Sequence, residues 1–256
     1  MVGKGSHPTV ASRIAVTERP EDQSPAMFQK WRDLLFLHWA FDPEVIQARL
    51  PDGLFVDTFD GKAYVGIVPF FMRDVRPRFL PAVPGISNFL ELNLRTYVYD
   101  ARGVPGVWFY SLDANQWLAV EIARISFSLP YFYAEMEAER NVDGEIRFSS
   151  RRVGTDTALR SSFRYRGLRP AGRADPGSLE FFLIERYVLF SLRRKTGKLM
   201  SGRVYHAPYP LSVAEVLEWG DHLFEVDGFD RPGRAPDHVL MSTGVDVETF
   251  RVRGID

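Results

Sequence analysis

The chain contains no cysteine. That excludes a disulfide framework, a thiolate nucleophile and any cysteine-ligated zinc or iron–sulfur site. Lysine is nearly as scarce: Lys4, Lys30, Lys62, Lys195 and Lys198 are the whole set, so 27 of the 32 basic residues are arginine. Charge of one sign is missing too, since 33 acidic residues bring the formal charge to −1. A general nucleic-acid binder would show a basic excess. No apolar run approaches the ~18–20 residues of a membrane helix; the best, Leu34–Trp39 and Phe181–Ile184, are far shorter. The first residues hold no hydrophobic segment of secretory type. A cytoplasmic protein with neither nucleic-acid nor membrane partner is the expectation.

Standard chemical motifs are also absent. There is no G-x-x-x-x-G-K-[ST], G-x-G-x-x-G, H-E-x-x-H or G-x-S-x-G. The five histidines, His7, His38, His206, His222 and His238, are isolated in sequence and read as surface or capping residues, unless the fold brings His38, His206 and a carboxylate together. No metal and no other cofactor is expected.

What is present is enough apolar residue for a folded core: 45% hydrophobic and 14% aromatic. Residues 1–26 read as a loosely ordered arm. Residues 27–256 show no composition break and read as one domain. Trp31–Trp39 suits a buried strand. Asp42, Pro43 and Glu44 then start a short helix, which Pro51-Asp52-Gly53 stops. Leu54–Phe59 and Ala63–Phe71 read as strands, the second entered through the hairpin signal Asp60-Gly61. Prolines 77, 81 and 84 mark a rigid loop. Strands follow at Phe89–Tyr99, Val107–Leu112, Tyr131–Arg140, Glu145–Val153 and Leu159–Tyr165; Leu118–Leu129 fits helix or strand. Leu179–Ile184 reads as a helical turn, and Arg186–Leu192 with Leu199–His206 as a hairpin. Ser212-Val213-Ala214-Glu215 matches a capping box, which predicts a helix over Val213–Trp219. His238–Val252 reads as a last strand. About ten short strands joined by turn residues favour an antiparallel barrel or sandwich over βαβ units.

The strand Phe89–Tyr99 alternates cleanly. Glu91, Asn93, Arg95, Tyr97 and Tyr99 point one way; Leu90, Leu92, Leu94, Thr96 and Val98 point the other. On an open sheet the polar face would be wet. In a closed barrel it would line a polar pocket with an anion-binding guanidinium. Both readings stand at this point. Asp113, Arg124 and Tyr131 lie near neighbouring strand ends. Arg124 interrupts the apolar run from Ile122 to Ile125 and requires a partner if buried. The arginines of 147–152 and 160–169 read as a solvated face balanced by Glu135, Glu137 and Glu139.

Several segments resemble a known family: Trp31-Arg32-Asp33-Leu34-Leu35-Phe36-Leu37-His38-Trp39, Leu50-Pro51-Asp52-Gly53-Leu54, Phe89 through Val98, Ser111-Leu112-Asp113-Ala114, Leu129-Pro130-Tyr131-Phe132, Gly177 through Leu183 and His206-Ala207-Pro208. They are similar to an uncharacterised bacterial family, domain of unknown function 2071, over about residues 27–215. That family's fold is similar to acetoacetate decarboxylase. The resemblance implies an α+β, mainly β architecture: an antiparallel barrel-like core with a central cavity and a few short flanking helices. The decarboxylases use a neutral lysine amine that forms a Schiff base with a β-keto acid. The equivalent segment here, Ile125-Ser126-Phe127-Ser128, has no lysine, so Schiff-base chemistry is not expected. Arg32 falls where the decarboxylases place an arginine.

These readings converge on a cavity that binds a small anionic organic molecule, with lyase or hydratase chemistry as one outcome. Arg95 and Arg124, with Arg32, are the anion partners. His38 or Glu91 is the proton-transfer group. Asn93, Tyr97 and Tyr131 are orienting donors, and Asp113 completes the set. A carrier or sensor using the same cavity is the alternative. A third reading makes the polar strand an assembly surface for homo-oligomers.

Overall fold

A computed structural model describes residues 6–193 and 196–255. Alternating apolar residues produce strands almost throughout: β1 Met27–Phe41, β2 Leu54–Val56, β3 Ala63–Pro77, β4 Phe89–Asp100, β5 Pro105–Ala114, β6 Tyr131–Arg140, β7 Ile146–Arg152, β8 Ser161–Gly172, β9 Val188–Leu192, β10 Leu199–Tyr205, β11 Leu211–Glu218, β12 His238–Thr249 and β13 Arg253–Gly254. Five short helices accompany them among the described residues: α1 Val10–Ala15, α2 Pro43–Gln47, α3 Trp117–Ser126, α4 Leu179–Ile184 and α5 His222–Val226. None is long and apolar enough to cross a membrane.

All thirteen strands belong to one sheet, and the sheet closes twice. One circuit runs β5-β6-β7-β8-β11-β12-β1-β3-β4 and returns to β5. A second runs β5-β9-β10-β12-β1-β3-β4. Pairing is antiparallel except β5 with β6 and β5 with β9. The β5–β6 connection carries α3, the crossover that a parallel pair requires.

Because both circuits use β12, β1, β3, β4 and β5, these strands form a wall between two interiors. Leu34–Trp39 of β1, Ala63–Met72 of β3 and all of β4 are buried. The period of two then sorts each strand's residues between the interiors. Leu35, Leu37, Ile67, Leu92 and Leu94 pack with Phe148, Phe163 and Met241 in the nine-strand interior. Leu34, Phe36, Val68, Phe70 and Tyr97 pack with Val204, Val247 and Phe182 of α4 in the seven-strand interior.

Local chemistry explains several ends. The Asp42 carboxylate accepts from the Glu44 N–H at 2.9 Å and starts α2. The Ser178 hydroxyl accepts from the Phe181 N–H at 3.1 Å and starts α4. Asp60 and Gly61 adopt φ of 49° and 75°, the two positive values a tight hairpin turn needs.

Other expectations are corrected. The capping-box segment is not a helix: it is strand β11, paired with β8 and β12. Those two neighbours offer open ladder positions on both sides, and pairing overrides a local cap. The helix comes later, as α5. Its leading residue Asp221 is held by Arg231 at 2.7 Å instead of capping. The ambiguous segment after Trp117 resolves to α3. Leu54–Phe59 shortens to β2, and β13 adds a strand that the sequence pattern does not show. Residues 6–26 also differ from the loose arm expected. They contain α1, and Arg13 makes two bonds to buried Asp57, at 2.5 and 2.7 Å. Arg203 then ties the Val16 and Glu18 carbonyls at 2.8 and 2.7 Å.

Candidate active site in the seven-strand interior

Neither face of β4 is wet. Its apolar residues face the nine-strand interior, and its polar residues face the seven-strand interior. Glu91, Asn93, Arg95 and Tyr97 are all buried. Tyr131, at the start of β6, donates its hydroxyl to the Glu91 carboxyl at 2.8 Å. Asn93 approaches the other Glu91 oxygen at 3.5 Å. Burial pushes the Glu91 carboxyl up to about 7; the Tyr131 and Asn93 bonds pull the other way, and Asp113 adds to the rise. The same desolvation raises the Tyr131 and Tyr97 phenols, which stay neutral.

Arg95 separates itself from the other buried arginines. Four are buried among the described residues: Arg13, Arg95, Arg152 and Arg186. Arg13 and Arg186 share Asp57, at 2.5 and 3.0 Å. Arg152 bridges Asp113 at 2.8 Å and Asp227 at 2.7 Å. Arg95 has no carboxylate partner among the described residues. It reaches the Leu183 carbonyl at 3.4 Å, and its charge lies 5.6 Å from the Phe36 ring and 5.8 Å from the Tyr97 ring. Its Nε has no partner. Neither has the buried Oδ1 of Asn93. Buried polar groups are ordinarily satisfied, and these two on one face of β4 are not.

His38 stands in the same interior. Its Nε2 lies 2.6 Å from the Tyr97 hydroxyl, and its Nδ1 lies 3.0 Å from Nδ1 of His238. Burial first, then the charges of His238 and Arg95, hold the His38 imidazole well below its usual range. His206 is buried between Tyr187, whose ring is 4.3 Å away, and Tyr209, at 4.6 Å. Its Nδ1 meets the Ala207 carbonyl at 2.8 Å, and its Nε2 is unpartnered. Burial lowers it to about 4.

The structure therefore gathers His38, Glu91, Asn93, Arg95, Tyr97 and Tyr131. It does not bring the other three candidates to them. Arg32 binds the Val245 carbonyl at 2.6 Å and the carboxylate of Asp246, which is largely exposed. Arg124 binds Glu121 and the Tyr131 carbonyl, both at 2.7 Å, and is partly exposed. Asp113 lies on the other side of the wall, neutralised by Arg152, and burial raises it to about 6. Among the described residues no group of three histidines or carboxylates is placed to hold a metal.

His38 and His206 are buried rather than surface or capping residues, and His238 and Glu185 escaped sequence reasoning as members of this interior. Glu185 accepts from the Tyr187 hydroxyl at 2.6 Å and the Tyr209 N–H at 2.9 Å. The partner of His38 lies 200 positions away, and only the β1–β12 register brings the two rings together. The described lysines stay outside. Lys30 pairs with Asp74 at 2.6 Å near the half-exposed start of β1. Lys62 and Lys198 are exposed. Lys4 and Lys195 lie outside the described residues.

Comparisons with known proteins agree with this geometry. A family described as an uncharacterized conserved protein, domain of unknown function 2071, matches residues 28–246. The uncharacterized protein YqjF of Bacillus subtilis (strain 168) is 41% identical over 189 residues, which are 74% of this chain and 76% of that protein. Acetoacetate decarboxylase from Legionella pneumophila is similar in fold, with 12% identity, a TM-score of 0.62, and 99% of this chain and 98% of that one covered. The enduracididine biosynthesis enzyme MppR complexed with pyruvate is also similar in fold, with 14% identity, a TM-score of 0.59 and 92% of each chain covered. Identities this low speak to the fold alone. The extent of the family match and the likeness to YqjF place the chain in the domain of unknown function 2071 family, on an acetoacetate decarboxylase-like fold.

Proposed function

We propose that this is a cytoplasmic protein that binds a small organic anion in the seven-strand interior, with Arg95 as the anion's partner. The observation that carries the reading is the contrast among the buried arginines: three have carboxylates, and Arg95 has none among the described residues. A guanidinium taken out of water without a counter-charge is costly, and a bound carboxylate offsets that cost. Two N–H groups in a planar fork also suit a carboxylate's geometry. Asn93 and Tyr97 flank it and orient the ligand.

Proton transfer falls to Glu91. A carboxyl poised near 7 can give or take a proton at neutral pH, and Tyr131 holds it in place. Lyase or hydratase chemistry on the bound acid follows, with no imine step, because the described lysines are on the surface. The same placement of the lysines favours a second reading, a carrier or sensor that binds the acid without turning it over. Loss of turnover with retained binding in Glu91→Gln identifies the enzyme. Absence of turnover in the wild type, with binding intact, identifies the carrier.

Calorimetric titration tests the anion site directly. MppR is described in complex with pyruvate, so pyruvate and acetoacetate are the probes, with wild type and Arg95→Met compared. Binding by the wild type and a loss of about 100-fold in the variant are expected, equivalent to about 2.7 kcal/mol. Circular dichroism should show the fold retained. Affinity within twofold of wild type in the variant, or no binding by the wild type, overturns the reading.

A further inference from the structure

The geometry points to a proton relay, His238–His38–Tyr97, that connects the half-buried ring of His238, near Glu180, with the interior beside Arg95. The inference rests on reading that interior as the ligand site, and it adds His238 as a functional residue.

The relay follows from the sheet register. His238 of β12 pairs with His38 of β1, His38 pairs with Gly66 of β3, and Gly66 pairs with Arg95 of β4. Four neighbouring positions on four strands thus form one row across the wall. The third has no side chain. A Cβ on Gly66 would sit 2.8 Å from His38 Cδ2, 3.1 Å from its Nε2 and 3.4 Å from the Tyr97 hydroxyl. The gap lets Tyr97, two residues past Arg95, lean across β3 and meet His38 Nε2 at 2.6 Å. The other His38 nitrogen meets His238 Nδ1 at 3.0 Å.

Two hydrogen-bond arrangements satisfy this chain. In the first, the Tyr97 O–H donates to His38 Nε2, His38 Nδ1–H donates to His238 Nδ1, and His238 carries its proton on Nε2. In the second, His238 Nδ1–H donates to His38 Nδ1, and His38 Nε2–H donates to the Tyr97 oxygen. The Tyr97 O–H is then free to donate into the interior. Passing from the second to the first takes up one proton at His238 Nε2 and releases one from Tyr97 to the ligand. Each N–H and O–H bond broken is matched by one formed on the next atom, and no ring carries a net charge before or after. Reverse transfer resets it.

The surroundings suit such a neutral chain. Burial lowers His38 and His238 and raises Tyr97, so neither imidazolium nor phenolate is the resting state. Arg95 and Arg186 lie 5.8 and 4.9 Å from the Tyr97 ring and stabilise transient negative charge on its oxygen. At the outer end, His238 Nε2 is covered and has no partner, so proton uptake there requires this half-buried ring to open to water, and the nearby Glu180 carboxylate at the start of α4 favours its protonation. The 2.6 Å contact between His38 Nε2 and the Tyr97 hydroxyl serves either arrangement; with no acceptor in the interior an inward Tyr97 O–H would be unsatisfied, which favours the first.

Nitrogen-15 NMR of the full chain tests the relay in two arms. In the ligand-free protein, the His38 ring proton should exchange with D2O at least about 10-fold more slowly in His238→Phe than in wild type. Backbone amide exchange of residues 36–40 serves as the control for loosening. Equal ring-proton exchange with unchanged amides overturns the relay, whatever the ligand. If the variant loosens the barrel, Tyr97→Phe replaces it in the second arm. There, saturating pyruvate should convert His238 Nε2 from a protonated to an unprotonated nitrogen signal, and Tyr97→Phe should abolish that change. Pyruvate that binds without moving the His238 signal overturns the relay. Pyruvate that fails to bind overturns the anion site instead, and the exchange arm alone then decides the relay.

Discussion

The two interiors share five strands and yet differ in kind. On β4, Leu90, Leu92 and Leu94 enter the nine-strand interior, which is filled by aliphatic and aromatic side chains. One residue over, Glu91, Asn93 and Arg95 enter the seven-strand interior and leave polar atoms without partners. Burial is equally deep on both faces, so exposure does not distinguish them. Satisfaction does. The charged cluster of Arg152, Asp113, Asp227 and Ser111 shows what a structural network looks like here, with every carboxylate answered by a donor. The row around Arg95 is answered only in part. The wall thus carries an apolar lining and a polar lining on alternate residues of a single strand.

Exchanging residues between the faces of β4 puts the most pressure on this contrast. Leu94→Asn removes a buried leucine and strands an amide, a loss of about 4 kcal/mol, and should drop the midpoint of thermal unfolding sharply. Asn93→Leu makes the opposite exchange on the polar face. It should change stability by less than about 1 kcal/mol, because an unpartnered Oδ1 disappears with it, and it should weaken pyruvate binding. If the two variants are equally destabilised, the distinction between the linings fails.

Glu91 offers a pH-dependent version of the same test. Its folded-state pKa of about 7 stands above the unfolded value. The folded state therefore holds a proton that the unfolded chain has already released. Stability contributed by this group is complete below about pH 4.5 and falls as pH rises towards 7, on the order of 3 kcal/mol in all. Asp113, raised to about 6, acts in the same sense. Urea denaturation from pH 4.5 to 8 should show Glu91→Gln with a shallower decline than wild type. Parallel declines would remove Glu91 from the role of neutral acid.

Arg32→Ala should have the smallest effect. Its ion pair with Asp246 is substantially exposed, and such pairs contribute about 0–1 kcal/mol. Pyruvate affinity should stay within twofold of wild type in the calorimetric assay. A large loss would extend the binding surface beyond the seven-strand interior.

Periodicity carried much of the fold. The alternation of β4, the Asp42 cap and the Asp60-Gly61 turn are short-range facts, and each reappears in three dimensions. Ser212 shows where short-range reasoning stops. Its capping pattern is genuine, but two neighbouring strands compete for the same backbone groups and win. For the site, the polar face of β4 identified Glu91, Asn93, Arg95 and Tyr97 as a set, because residues two apart share a face. Their neighbours were less accessible. Arg32 and Arg124 carry the right charge, yet each finds a carboxylate near the surface. His238 looks like any isolated histidine until register sets it against His38.

Composition and spacing alone determined that this chain is a strand-rich protein without thiolate chemistry, with arginine in place of most lysine, and with one strand amphipathic on a period of two. Which face of that strand would be solvated was not a property of the strand. The double closure of the sheet decided it, by giving β4 an interior on each side. The same closure decided which of the buried, described arginines would lack a carboxylate, because electrostatic pairing depends on distances across the fold, and those follow from register rather than from position along the chain.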